Sequence, residues 1–210
     1  HILQGFIYNT IDEKLSDFLH KKGFGTGRSF KLFAFSCIRG KNHIDTVQNR
    51  IIFGEKIEIV ISSPVSELCE SFANGLFKKV LYLGENDLEV SSIKIEQQKV
   101  PSQNIILETL SPVVVYSTLL KPDGSKYTCF FQPGEADFER IASENLRKKF
   151  KAFANAEPPE GEISIKPKCQ PRLHIVKYKG FVIKGYSCLL ELRGPQELLQ
   201  MAVDAGLGSK

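Results

Sequence analysis

The stretch "SSPVSELCESFANGLFKK", residues 62–79, joins a predicted strand to a predicted helix and shows the pattern that the rest of the chain repeats. Ser63 suits the helix cap, and Pro64 suits the first turn because that position needs no backbone N–H. A strand or hairpin is predicted for residues 50–62 before it. Alternating apolar and polar residues predict a strand over residues 88–100 after it. This succession of strands and helices indicates an α+β protein.

The start of the chain adds a helix to this pattern. Apolar residues at helical spacing predict a helix over residues 2–20. Thr10 and Glu13 have the spacing of a capping box, so the helix is expected to break and restart there. Gly23 is expected to end the helix, and residues 30–39 are predicted to form the next strand.

The pattern recurs after a polar, proline-containing break at residues 101–104, which we predict as the domain boundary. Two such units in tandem predict two ferredoxin-like halves, residues 1–100 and 105–210. Because the first half opens with a helix where that fold has a strand, its first strand is expected to be missing from this sequence. The second half is predicted to contain strands at 105–120, 127–131, 163–167 and 173–193, with a turn near Lys179 and Gly180, and helices at 135–154 and 195–205.

The composition is that of an ordinary globular protein, since 42% of the 210 residues are apolar and 25% are charged. No apolar run approaches the roughly 18 residues that a membrane helix needs, so no membrane partner is expected. The five cysteines are scattered and include no CxxC pair, so we expect no metal site, no disulfide framework and a cytoplasmic location. A net charge of +4 allows a nucleic-acid partner without requiring one.

Two basic segments differ in what they predict. The first, residues 163–186, contains no acidic residue and is either a solvated hairpin or a surface that follows a nucleic-acid backbone. Its basic residues are Lys166, Lys168, Arg172, Lys177, Lys179 and Lys184. The second, "NLRKKFK" at residues 145–151, lies in a predicted helix whose N-terminal turns are acidic. Its charges follow the helix dipole, so no partner is predicted for it.

One of the four histidines has neighbours that suit a reaction. His20 ends the first predicted helix, Tyr8 lies upstream in that helix, and Lys31 begins the next strand. Alternatively, His20 only adds positive charge at a helix C-terminus, where the dipole favours it. His43, in the polar loop "GKNHID", is expected to be merely solvated. The loop "GFGTGR" follows a helix, so it is neither a dinucleotide fingerprint nor a P-loop.

Six short motifs occur in the order found in a known family: "HILQGFIYNTI", "FLH", "FKLFAFS", "TLSPVVV", "NLRKKF" and "AVDAGLGSK". Over nearly its whole length the chain resembles the Cas6 family of CRISPR-associated endoribonucleases, within the RAMP superfamily. The resemblance implies two ferredoxin-like folds. It also implies cleavage of the repeat in precursor CRISPR RNA without a metal or other cofactor.

The resemblance also implies a site. It places the family's tyrosine at Tyr8, its histidine at His20 and its lysine at Lys31. The loop over residues 21–29 is long, so Lys21, Lys22 and Arg28 are alternative cations. The residues expected to bind RNA are Lys21, Lys22, Arg28, Lys166, Lys168, Arg172, Lys177, Gly206, Gly208 and Lys210.

The chemistry of RNA explains why such a site needs no metal. The 2′-hydroxyl beside the scissile phosphate is an intramolecular nucleophile, so much of the barrier falls through positioning. We expect His20 to act as general acid, Tyr8 as base or orienting group, and Lys31 as electrostatic stabiliser. The products would carry 2′,3′-cyclic phosphate and 5′-hydroxyl ends.

Two other functions stay open at this point. A non-cleaving RNA-binding subunit of a CRISPR ribonucleoprotein would share the fold but would not need His20 with Tyr8. A ferredoxin-like domain without any RNA role is disfavoured by the basic segment over residues 163–186. The expected partners are CRISPR repeat RNA, subunits of a CRISPR interference complex and, as an open alternative, a second copy in a homodimer.

Overall fold

The structure, a computed structural model, describes residues 2–178 and 180–208. The elements of the first half are α1 (Ile2–Thr10), α2 (Glu13–Lys21), β1 (Ala34–Phe35), β2 (Asn42–Asp45), β3 (Arg50–Phe53), β4 (Ile61–Ser62), α3 (Ser66–Lys78), β5 (Leu81–Leu83) and β6 (Asn86–Leu88). The elements of the second half are β7 (Asn104–Glu108), β8 (Val115–Leu120), β9 (Lys126–Phe131), α4 (Ala136–Ala154), β10 (Ser164–Pro167), β11 (Arg172–Tyr178), β12 (Phe181–Ser187), β13 (Leu189–Arg193) and α5 (Gln196–Ala205).

The second half is built on a three-stranded antiparallel sheet in the order β10-β13-β7. Its apolar face is buried under α4 and α5, because alternate strand residues point to one side. Ile165 lies opposite Leu192 in the register, and both are fully buried. Phe138 of α4 and Leu198 of α5 are fully buried in the same core.

The first half repeats this arrangement on a smaller scale. The strands β1 and β4 pair antiparallel, with Ala34 opposite Ser62. Its core includes the fully buried Ile7, Leu19 and Leu68 from the three helices. In each half a hairpin separates two paired strands, since β2–β3 lies between β1 and β4, and β11–β12 lies between β10 and β13. The predicted α+β organisation in two ferredoxin-like halves is confirmed.

The two halves pack against each other. Phe30 and Leu32 of the first half are buried in the core of the second. The backbone N–H of Cys37 donates to the carbonyl of Leu110 at 3.0 Å. The predicted domain boundary at residues 101–104 remains a prediction. None of the described helices is both long and apolar enough to span a membrane.

The predicted strand over residues 88–100 is wrong. Only Leu88 lies in a strand, as the last residue of the β5–β6 hairpin, and residues 89–100 belong to no strand. Side chains of α5 take the place of a neighbouring strand: Gln200 accepts from the N–H of Val100 at 2.8 Å and donates to the carbonyl of Gln98 at 2.9 Å. Backbone groups satisfied in this way need no ladder.

Two local predictions are also corrected. The break between α1 and α2 is confirmed, but Asp12 caps α2 by accepting from the N–H of Lys14 at 2.9 Å. Thr10 instead donates its hydroxyl to the carbonyl of Phe6 at 2.8 Å. The predicted polar loop around His43 is the strand β2, which pairs with β3 in a hairpin.

Candidate active site

Tyr8 of α1 is in contact with His20, which lies near the C-terminal end of α2. Their ring centroids lie 4.4 Å apart, with an angle of 39° between the planes. The turn between the helices is fixed from both sides, because Ile11 is fully buried and Ser71 of α3 accepts from the N–H of Asp12 at 2.7 Å. The fold thus brings together two residues that are twelve positions apart in the sequence.

The two rings of this pair have different surroundings. Tyr8 is only 7% exposed and packs edge-on against Phe33, with ring centroids 6.0 Å apart. Burial raises the pKa of Tyr8, although a hydrogen bond with Gln4 acts in the opposite direction. His20 is exposed at the end of α2. The imidazole is therefore the more accessible member of the pair.

Lys31 lies beside the end of the same helix. Its Nζ donates to the carbonyl of Leu19, the residue before His20. The long loop after α2 returns to this point because Phe24 and Phe30 exchange two backbone hydrogen bonds, of 2.8 and 2.9 Å. The predicted trio of Tyr8, His20 and Lys31 is thus assembled at one helix end.

The three alternative cations lie in different environments. Lys21 forms an ion pair with Asp17 at 2.6 Å. Lys22 is the exposed residue that follows α2. Arg28 points to the second half, where its guanidinium donates to Oδ1 of Asn145 at 3.0 Å. Lys31 is therefore the cation that the described contacts link directly to the residue before His20.

The basic residues predicted to bind RNA in the second half fall into two groups, one with ion-pair partners and one exposed on a strand. Lys166 pairs with Glu139 at 2.5 Å, and Lys168 with Glu191 at 3.6 Å. The segment itself contains no acid, but other elements supply the opposing carboxylates. The other basic residues predicted to bind RNA here, Arg172 and Lys177, are exposed on β11.

The glycine-rich turn follows α5. Gly206 ends this helix with a φ of +73°, a left-handed conformation that favours glycine, and the predicted helix end is confirmed. Gly208 lies two residues further along the turn. Lys210 and Lys179 lie outside the described residues.

The described residues include no group of three or more His, Cys, Asp or Glu side chains placed to hold a metal ion. The groups that the structure brings together around His20 are an imidazole, a buried phenol and an ammonium.

Comparison with known proteins identifies the chain. The family model described as "CRISPR-associated protein Cas6, N-terminal" matches residues 1–94, and the model described as "CRISPR associated protein Cas6, C-terminal" matches residues 95–210. The chain belongs to the Cas6 family. The resemblance seen in the sequence is confirmed.

Two curated Cas6 relatives come from Methanocaldococcus jannaschii. CRISPR-associated endoribonuclease Cas6 1 is 25% identical over 211 aligned positions, which cover 100% of this chain and 81% of that protein. CRISPR-associated endoribonuclease Cas6 2 is 31% identical over 168 positions, which cover 75% of this chain and 59% of that protein.

Solved structures show the same Cas6 fold. The product of a Cas6-related gene from Pyrococcus furiosus superposes with a TM-score of 0.80 at 19% identity, covering 99% of this chain and 82% of that one. A RAMP protein described as binding different RNA substrates gives a TM-score of 0.76 at 18% identity, with coverage of 99% and 82%.

The role of one residue near the glycine-rich turn of this Cas6 protein was not predicted from the sequence. Lys149 is 1% exposed, and its Nζ donates to the carbonyls of Ala205, Gly206 and Gly208 at 3.1, 2.6 and 3.0 Å. Burial, together with the charge of Arg28, lowers the pKa of Lys149 to about 8. The charges of the second basic segment were expected to follow the helix dipole without a nucleic-acid partner, but the burial of Lys149 and its carbonyl acceptors were not predicted.

The helical periodicity of α4 could have predicted that Lys149 is buried. Phe138, Ala142 and Asn145 are buried on one face of α4, and position 149 continues their spacing of three and four residues. A lysine on this face must find acceptors, because a buried charge without partners is costly.

Proposed function

We propose that this protein is a metal-independent endoribonuclease that cleaves the repeat of CRISPR precursor transcripts into guide RNAs. The observation that carries the proposal is the contact between Tyr8 and His20, with ring centroids 4.4 Å apart and Lys31 bound at the adjacent carbonyl. Membership of the Cas6 family supports it, as do two relatives that are named CRISPR-associated endoribonucleases.

In the proposed reaction the 2′-oxygen attacks the adjacent phosphorus while the bond to the 5′-oxygen breaks. His20 gives a proton to the leaving 5′-oxygen, a role that proteins most often assign to an imidazole. Lys31 stabilises the negative charge that develops on the phosphate. The proton of the 2′-hydroxyl passes to solvent.

Of the two roles left open for Tyr8, we propose orientation of the ribose and phosphate. Burial raises the pKa of Tyr8, so its hydroxyl stays protonated near neutral pH and can donate a hydrogen bond. A group in that state is a poor acceptor for the 2′ proton.

A second candidate function is RNA binding without cleavage. The packing of Tyr8 against Phe33 favours it, because this contact gives Tyr8 a role in the core of the first half. In either case we propose repeat RNA as the partner and the cytoplasm as the compartment. Subunits of an interference complex and a second copy of the chain remain predicted partners.

Analysis of the product ends tests the proposal. The protein is incubated with repeat RNA in excess chelator, with and without a 2′-deoxy sugar at the scissile position. We expect cleavage of the all-ribose RNA to 2′,3′-cyclic phosphate and 5′-hydroxyl ends, and no cleavage of the 2′-deoxy RNA. A strict magnesium requirement or a 5′-phosphate on the downstream product would refute the mechanism, and tight binding without cleavage would favour the second candidate.

A further inference from the structure

We propose that Lys149 is a positioning residue for RNA, which holds the glycine-rich turn over residues 205–208 in the conformation that contacts the repeat. This inference rests on the proposed function and on the prediction that Gly206 and Gly208 bind RNA. It adds a residue that would act on RNA through the turn and not by its own contact.

The first observation is that the turn supplies an acceptor for every proton of the Lys149 ammonium group. An ammonium has three protons, and the three acceptors of Lys149 are the carbonyls of Ala205, Gly206 and Gly208. In a planar trans peptide the N–H points opposite to the carbonyl. The N–H of Gly206 points back into α5, whereas the N–H of Leu207 is directed away from Lys149. An N–H of this kind is a donor that suits phosphate oxygens.

The second observation is that the same helix also holds the loop after the candidate active site. Asn145, one turn before Lys149 on α4, is 1% exposed and accepts from Arg28 at 3.0 Å. A Cβ on Gly25 would lie 3.1 Å from Cβ of Ala152, which shows how closely this loop approaches α4. The helix α4 thus fixes the glycine-rich turn relative to the loop that leads away from His20.

These contacts predict that a change at Lys149 affects RNA binding but not the Tyr8–His20 pair. Loss of the Lys149 ammonium should release the turn and weaken RNA binding, while the Tyr8–His20 pair on α1 and α2 stays intact. Because the ammonium is buried and bound to carbonyls, its removal should not change the number of counterions released on binding. A lysine that touched phosphate would instead change the salt dependence of affinity by about one ion.

The test uses Lys149→Met, which keeps most of the buried stem, and Lys148→Met as the matched control. Lys148 is the residue before Lys149 on α4, and its side chain is 54% exposed. For Lys149→Met we expect about tenfold weaker repeat binding, as for one or two lost hydrogen bonds. We also expect an unchanged salt slope, an unchanged single-turnover cleavage rate at saturating protein, and a shifted NMR signal of the Leu207 amide. Lys148→Met should leave that signal unchanged.

A second variant guards against a Lys149→Met protein that does not fold. Gly206→Ala strains a φ of +73° and places a Cβ 3.1 Å from that of Ala34, so it should displace the turn and give the same loss of affinity. In the double variant the two losses should not add, because both act on one turn. Wild-type affinity in either single variant, or an unchanged NMR signal of the Leu207 amide in Lys149→Met, would overturn the inference. A wild-type protein that binds no repeat RNA would refute the proposed function and this inference with it.

Discussion

The pH dependence of stability should carry the signature of the buried Lys149. Its pKa is lowered from 10.5 to about 8 in the folded chain. Between these values the unfolded chain binds a proton that the folded chain has released, so the free energy of unfolding rises with pH. At about 1.4 kcal/mol per pKa unit, this group contributes a rise of roughly 2–3 kcal/mol between about pH 7 and about pH 10.

The assay is urea unfolding of wild type, Lys149→Met and Lys148→Met across this pH range. Other groups also titrate there, so the informative quantity is the difference in unfolding free energy between wild type and each variant. The unfolding free energy of wild type should rise with pH by roughly 2–3 kcal/mol more than that of Lys149→Met. The unfolding free energies of wild type and Lys148→Met should change with pH almost in parallel, because the removed Lys148 side chain is 54% exposed. Parallel pH profiles for wild type and Lys149→Met would refute the reasoning.

Two further predictions concern packing and RNA binding. A Cβ on Gly75 would collide with the carbonyl of Thr10, so Gly75→Ala should destabilise the protein by about 1–3 kcal/mol in urea unfolding. Gly5→Ala, with nothing within 4 Å of the new Cβ, should instead stabilise α1 by about 1 kcal/mol, and equal effects would contradict this account of the packing. Charge reversal at Arg172 and Lys177 together should weaken repeat binding and lower its salt slope by about two, and an unchanged slope would assign these residues to a solvated surface.

The helices were the most predictable part of the fold because their signals are local. The helix predicted over residues 135–154 is α4, Ala136–Ala154, and the last predicted helix differs from α5 by one residue. The end of the region 89–100 was not predictable, since backbone groups of Gln98 and Val100 bond to side chains of Gln196 and Gln200, about a hundred residues away. The periodicity of residues 88–100 could not reveal such distant partners.

The candidate site shows the same division. The placement of Tyr8, His20 and Lys31 came from the family resemblance, while their spacing alone favoured a charged helix end. The return of Lys31 to α2 depends on the closure between Phe24 and Phe30, which the glycine-rich loop sequence did not indicate. Lys149 was expected only to follow the dipole of α4, because its acceptors lie at the end of another helix.

The central claim is that the contact between Tyr8 and His20 marks a reaction centre. It is tested most directly by single-turnover cleavage of repeat RNA with His20→Ala at saturating protein. His43→Ala, an exposed histidine on β2, is the matched control. We expect His20→Ala to bind RNA normally and to cleave it at least about a hundredfold more slowly, as for a lost general acid, and His43→Ala to match wild type. Tyr8→Phe should cause a smaller loss, because the tyrosine only orients the substrate. Cleavage by His20→Ala at the wild-type rate would contradict the claim.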